Sequence, residues 1–226
     1  MTFDTFRTIK TWVFDLDNTL YPASSALFSQ IEARMTRYVS DFLGVDAQTA
    51  NALRDTYWRD HGTTLAGLMT HHAMPPEDFM ADVHDIDFSV LAPDPALAEF
   101  IKRLPGRKII YTNGSAPYAR QVLSARGLTH FFEDIYGVEH ADWHPKPTKI
   151  AFDKVFAKAG FDPKTAVMFE DDSRNLLVPH QLGMATVHVS PTPETAPHLH
   201  FQTDDLTAFL SQLHQRAFPT DTAALP

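Results

Sequence analysis

The chain of 226 residues contains no cysteine. Disulfides and thiolate metal sites are excluded with it, so any metal must be held by oxygen or imidazole. No apolar run reaches the roughly 18 residues that a membrane span needs. The opening MTFDTFRTIK lacks the long apolar core of a secretory signal. From these absences we expect a soluble, cytoplasmic protein with no membrane partner. Positive charge is scarce too: 19 Lys and Arg stand against 28 Asp and Glu, a formal net charge of −9. Such a surface repels a phosphate backbone, which argues against a nucleic-acid polymer as partner. A small phosphorylated metabolite stays open, because a few local donors outweigh the overall field. The twelve histidines are scattered. No cysteine or carboxylate completes a ligand set at useful spacing beside His71–His72 or beside His198 and His200, so these read as solvated side chains.

What is present alternates in character. An apolar strand, about Lys10 to Asp15, comes first. From Ser24, Leu27, Ile31, Met35, Tyr38, Val39 and Phe42 recur at helical spacing, with Ser24 or Ser25 as N-cap and Gly44 as stop. Helices are predicted again from Ala47 to about Arg59, in HGTTLAGLM (61–69) and in PPEDFMADVHD (75–85). Beyond Ala92, strands KIIYTN (108–113), 135–137, AVMFED (166–171) and ATVHV (185–189) are interleaved with helices that stop near Gly106, Gly127, Gly160 and Gly183. The last ten residues read as loose. Alternation of this kind predicts an α/β fold, a doubly wound parallel sheet covered on both faces. The helical span after the first strand is too long for a crossover and reads as an inserted cap. We therefore expect a core of residues 1–20 and 89–226 and a helical cap of residues 21–88.

In such sheets ligands bind beyond the carboxyl ends of the strands. Four polar groups fall there. Asp15 and Asp17 end the first strand in WVFDLDNTLY, and residues two apart on a strand share a side. Thr112 and Asn113 end the second, Lys146 lies in HPKP, and Asp171 and Asp172 follow AVMFE. So many carboxylates in one place raise each other's pKa unless a cation sits among them. Hard oxygen ligands without sulfur suit Mg²⁺. Lys146 with Thr112 and Asn113 can then hold phosphate oxygens. A carboxylate can attack phosphorus and form an aspartyl-phosphate. The second carboxyl, Asp17, can protonate the departing alkoxide and later deprotonate water.

In this order, DLDNTLY, YTNGS, HPKP and FEDDSRN resemble the four motifs of the haloacid dehalogenase-like hydrolases over about residues 10–190. The DNTLYP opening and the GTTLAGL segment (62–68) also resemble the pyrimidine 5′-nucleotidase branch. The resemblance implies a Mg²⁺-dependent phosphomonoesterase on a Rossmann-like core with a helical cap. It implies Asp15 as nucleophile and metal ligand, and Asp17 as acid/base that also offers its main-chain carbonyl to the metal. Thr112, Asn113 and Lys146 would bind phosphate. Asp172, with Asp171 behind it, would complete the metal site; Ser173 and Asn175 follow Asp172 at the family's spacing, although Glu170–Asp171–Asp172 allows a slip by one. In the cap, His61, Thr63 and Thr64 are candidates for facing the substrate, with a plain N-cap as the alternative for the threonines. Tyr57 and Trp58 either stack on a base or pack within the cap. Pyrimidine nucleoside monophosphates such as UMP and CMP are the expected substrates. A sugar phosphatase or a phosphomutase would share every catalytic residue. A non-enzymatic phospho-receiver would need neither Asp17 nor a cap.

Overall fold

The computed structural model describes residues 1–219. Six strands form one sheet in the order β3-β2-β1-β4-β5-β6, and each neighbouring pair is parallel. They are β1 (Thr11–Phe14), β2 (Arg107–Tyr111), β3 (Asp134–Tyr136), β4 (Ala166–Glu170), β5 (Ala185–Val189) and β6 (Phe201–Thr203). The chain starts at the centre, winds outward through β2 and β3, then crosses back to β4 beside β1. That reversal leaves a crevice beyond the carboxyl ends of β1 and β4, the usual place for a ligand.

All four residues of β1 are buried, because it has a neighbour on each side and helices above and below. Its alternate side chains feed two cores. Trp12 and Phe14 join a cluster with α5 (Pro95–Arg103), α6 (Ala116–Ala125) and α9 (Leu206–Ala217). Val13 joins Ile109, Met168 and Phe152 beneath α7 (Lys149–Ala159) and α8 (Leu177–Gln181). Phe14 and Phe169 stack across the β1–β4 pair at 4.5 Å, which locks the two strands whose ends form the crevice.

Between β1 and α5 stands a helical insertion: α1 (Leu27–Leu43), α2 (Ala47–His61), α3 (Thr64–His72) and α4 (Pro76–Val83). The expected α1 cap is not made by Ser24 or Ser25. Those residues form a 3-10 turn, and Ala26, in the left-handed region at φ 61°, precedes the helix. Asp46 caps α2 through the Thr49 N–H, and Thr63 caps α3 through that of Ala66. Gly67 has a packing reason: a Cβ there would lie 2.1 Å from the Tyr57 ring, so only glycine lets α3 close onto α2. The helix expected over 174–182 is a 3-10 turn (Ser173–Leu176) followed by the short α8, which contains Pro179. Among the last ten residues, α9 runs to Ala217, and 220–226 lie outside the described residues.

Candidate active site

β1 delivers Asp15, whose N–H still bonds the Phe169 carbonyl at 2.9 Å. The chain then turns tightly: the N–H groups of Thr19 and Leu20 both reach the Leu16 carbonyl, and Asn18 takes φ 57°. Asp17 therefore enters the crevice from a turn rather than from strand alternation. Asp15 is buried, with its side chain 6% exposed. One of its oxygens accepts from Lys146 Nζ at 2.7 Å and the other from the Thr19 hydroxyl at 3.2 Å. Lys146, 1% exposed, also donates to Glu170 Oε2 at 2.6 Å and to the Tyr111 carbonyl at 3.1 Å. Burial alone would lower the Lys146 pKa, but the charges of Asp15 and Glu170 outweigh it and raise it. Burial, joined by the charge of the other, pushes Asp15 upward; burial pushes Glu170 upward too, and Lys146 opposes both shifts.

Carboxylate oxygens of Asp15, Glu170 and Asp171 lie within 4.8 Å of one another. Asp171 accepts from Asn18 Nδ2 at 3.2 Å, and burial followed by the charge of Asp15 pushes its pKa up to about 7. Asn18 Oδ1 is buried without a partner. An all-oxygen set under mutual repulsion is what a hard divalent cation relieves, so these residues fit Mg²⁺.

Asp172, favoured by motif spacing as the direct ligand, stands apart from this triad. Its carboxylate caps the 3-10 turn at the Arg174 N–H (3.0 Å) and pairs with the Arg174 guanidinium at 2.6 Å. Glu170 is still a strand residue and the chain turns only after it, so Asp171 rather than Asp172 meets Asp15 and Glu170. Arg174 in turn lies over the Trp58 ring of the insertion, 3.7 Å from its centroid.

Asp17 accepts two phenol hydrogen bonds on one oxygen, from Tyr21 at 2.5 Å and Tyr118 at 2.6 Å. Neither phenol bonds its other oxygen. Burial raises its pKa, and the two phenols oppose the shift. Thr112, 1% exposed, uses its hydroxyl to accept from the Gly114 N–H at 2.9 Å. The Asn113 side-chain amide pairs with the Lys146 peptide, accepting from the N–H at 2.8 Å and donating to the carbonyl at 3.1 Å. Its second amide hydrogen and its main-chain N–H remain for a phosphate. Asp15, Asp17, Thr112, Asn113, Lys146, Asp171 and Asp172 nevertheless all line one cleft of about 410 Å³, together with Gly62, Thr63 and Trp58 from the insertion.

The remaining insertion residues divide. Thr64 borders a deeper cavity beside the cleft. His61 turns away and meets His71, Nε2 to Nε2 at 2.9 Å. Tyr57 is buried, with its hydroxyl on His72 at 2.7 Å, so it packs within the insertion and offers no free face to a base. Gly62 rests on the core: a Cβ there would lie 3.1 Å from the Lys146 carbonyl oxygen. Sequence reasoning missed Glu170, Thr19, Tyr21 and Tyr118 as partners of the site. Tyr21 and Thr19, each four residues after the aspartate they serve, left a local trace; Tyr118 left none.

A model of the haloacid dehalogenase-like hydrolases matches residues 9–183, from before β1 to just past α8. The chain belongs to this family. Phosphate metabolism protein 8 of Saccharomyces cerevisiae is 24% identical over 197 residues, 80% of this chain, and the match spans 60% of the yeast protein. Two family structures share the fold. YfnB of Bacillus subtilis, solved bound to magnesium, has a TM-score of 0.58 at 16% identity, covering 93% of this chain and 99% of its own. A phosphatase of the family from Thermococcus onnurineus has a TM-score of 0.59 at 17% identity, covering 92% and 97%. No helix among the described residues is long and apolar enough to cross a membrane.

Proposed function

We propose that this family member is a Mg²⁺-dependent phosphomonoesterase working through an aspartyl-phosphate on Asp15. One observation carries the reading: buried Asp15 is flanked by Lys146 on one side and by the Glu170–Asp171 carboxylates on the other, with Asp17 at the entrance. Asp15, Glu170 and Asp171 would hold the metal, with the main-chain carbonyl of Asp17 available beside them. When bound, Mg²⁺ neutralises this acidic site and the phosphoryl charge. Lys146 shifts from its carboxylate partners toward a phosphoryl oxygen; the Thr112 hydroxyl and the Asn113 N–H take others. Asp15 attacks phosphorus, and Asp17, protonated on the oxygen that the tyrosines leave free, gives its proton to the leaving oxygen. Deprotonated Asp17 then takes a proton from the water that hydrolyses the aspartyl-phosphate. The cap, taken as residues 21–88, closes over the site through Gly62, Thr63 and Trp58 and keeps bulk water out.

For the leaving group we name a pyrimidine nucleoside. Support comes from the DNTLYP and GTTLAGL segments and from Trp58 and Thr63, which border the cleft. The test is release of inorganic phosphate with Mg²⁺ from UMP, CMP, AMP, GMP and a hexose phosphate, with product analysis for isomerised sugar. UMP and CMP are expected to lead and excess chelator to stop turnover. Full turnover in chelator sinks the mechanism; equal turnover of AMP and UMP sinks only the nucleoside assignment.

A further inference from the structure

Beyond Asp17 the cleft continues into a cavity of about 130 Å³ within the inserted helices. Its inner walls are Phe28 and Ile31 of α1, Leu65 of α3, and Phe79 and Met80 of α4. Polar groups gather toward the entrance, at Asp17, Asn113 and Thr63.

Two properties of this space limit what can enter it. The first is charge. Among the described residues lining the cavity and the cleft, Lys146 is the sole lysine or arginine, and it is engaged at the phosphoryl end; Arg174, over the outer Trp58 ring, is paired with Asp172. His84, the one histidine on the wall, has its pKa lowered to about 4 by burial and is neutral near pH 7. A carboxylate or second phosphate on the leaving group would lose its hydration and meet no cation. The second is size. A dry cavity of about 150 Å³ holds one benzene ring, so this one takes a single six-membered ring and not two fused rings. A polyol would set hydroxyls against phenylalanine and methionine with no partner.

We propose that the leaving group is uncharged and is gripped by a single ring seated in this cavity, so that the substrates are phosphate monoesters of neutral alcohols that end in one unfused ring. The inference rests on the phosphomonoesterase reading for its chemistry. A nucleoside with a one-ring base belongs to this class; purine nucleosides, bisphosphates and phosphorylated acids do not. Met80 and His84 also border a groove of about 580 Å³ on the opposite side, so the Met80 side chain is a wall between the two spaces.

The experiment compares kcat/KM for phenyl, 4-carboxyphenyl and 1-naphthyl phosphate with Mg²⁺. The two disfavoured esters have the better leaving groups, so intrinsic reactivity works against the expected order. Phenyl phosphate is expected to lead each by about tenfold or more. Met80→Ala, or Met80→Val if the alanine variant does not fold, is expected to raise the naphthyl-to-phenyl ratio. Calorimetric binding of the three matching arylphosphonates reads the cavity without turnover and is expected in the same order. If no ester is hydrolysed but the phosphonates keep this order, the phosphomonoesterase reading falls and the cavity assignment stands. Equal binding of all three, or a naphthyl-to-phenyl ratio unmoved at Met80, overturns the assignment.

Discussion

Replacing Lys146 by methionine keeps the length of the side chain and removes its charge from between Asp15 and Glu170. At 2.7 and 2.6 Å, each contact is worth about 6 kcal/mol of attraction at an effective dielectric of about 20. Desolvation of three ions offsets most of this, and truncating one partner of a buried ion pair typically costs about 3–5 kcal/mol. Lys146→Met should therefore lose about that much stability when unfolded by urea in chelator at about pH 9. In a chain of this size that is about 6–20 °C in Tm. The loss arises from two stranded carboxylates, so it has two signatures. It should shrink as pH falls from about 9 to 7.5, because burial already raises Asp15 and Glu170 to about 8 and the pair without its lysine takes up protons at still higher pH in the folded state. It should also be partly recovered, by about 1 kcal/mol or more, in Lys146→Met/Glu170→Gln, since contacting residues are coupled. A loss below about 1 kcal/mol, or strict additivity of the two substitutions, would refute the electrostatic account.

Two further outcomes are expected. Asp171→Asn should weaken Mg²⁺ binding, measured by calorimetry, at least about tenfold, while Asp172→Asn, which breaks only the Arg174 pairing, should change it far less; the reverse order would restore Asp172 as the ligand. His84 has a folded pKa of about 4 against an ordinary 6.5, so the unfolded chain takes up this proton first. Its stability contribution is complete above pH 6.5 and fades by up to about 3 kcal/mol as pH falls toward 4; urea unfolding of His84→Gln should show a flatter loss over that window, and an unchanged profile would contradict the burial of a neutral imidazole against Tyr118.

The parts legible in the sequence are those with a local signal. The strands of the sheet centre were evident from apolar runs, and Gly44 and Gly160 marked the ends of α1 and α7. Asp15, Asp17, Lys146 and the acidic stretch after β4 were placed together because parallel strands end on one edge. The rest depends on information that spacing does not carry. Three consecutive acids look alike until the last strand residue is known, and β4 ends at Glu170, one residue short of the strand expected over 166–171. Nothing nearby in sequence announces the pairing of Asn113 with a peptide 33 residues away. Tyr57 is aromatic in a cap, but Gly67 against its ring is what buries it. β6 and α9 went unread because a three-residue strand after a Pro-rich stretch has almost no periodicity.

The Asn113 clamp also bears on how long a molecule of this protein stays chemically intact. Asn followed by Gly is the pair most prone to spontaneous deamidation, in which the glycine nitrogen attacks the side-chain carbonyl carbon and expels ammonia. Here both ends of the amide are held by the Lys146 peptide, and the Gly114 N–H is turned to the Thr112 hydroxyl. The attacking nitrogen and its target are tied to different partners, so the folded chain protects the bond. Each excursion to the unfolded state lifts that protection. The product, an aspartate or isoaspartate at 113, cannot donate to the Lys146 carbonyl and adds one more negative charge to a crevice already crowded with them. Damage there is permanent, and the clock that governs it runs only while the protein is open.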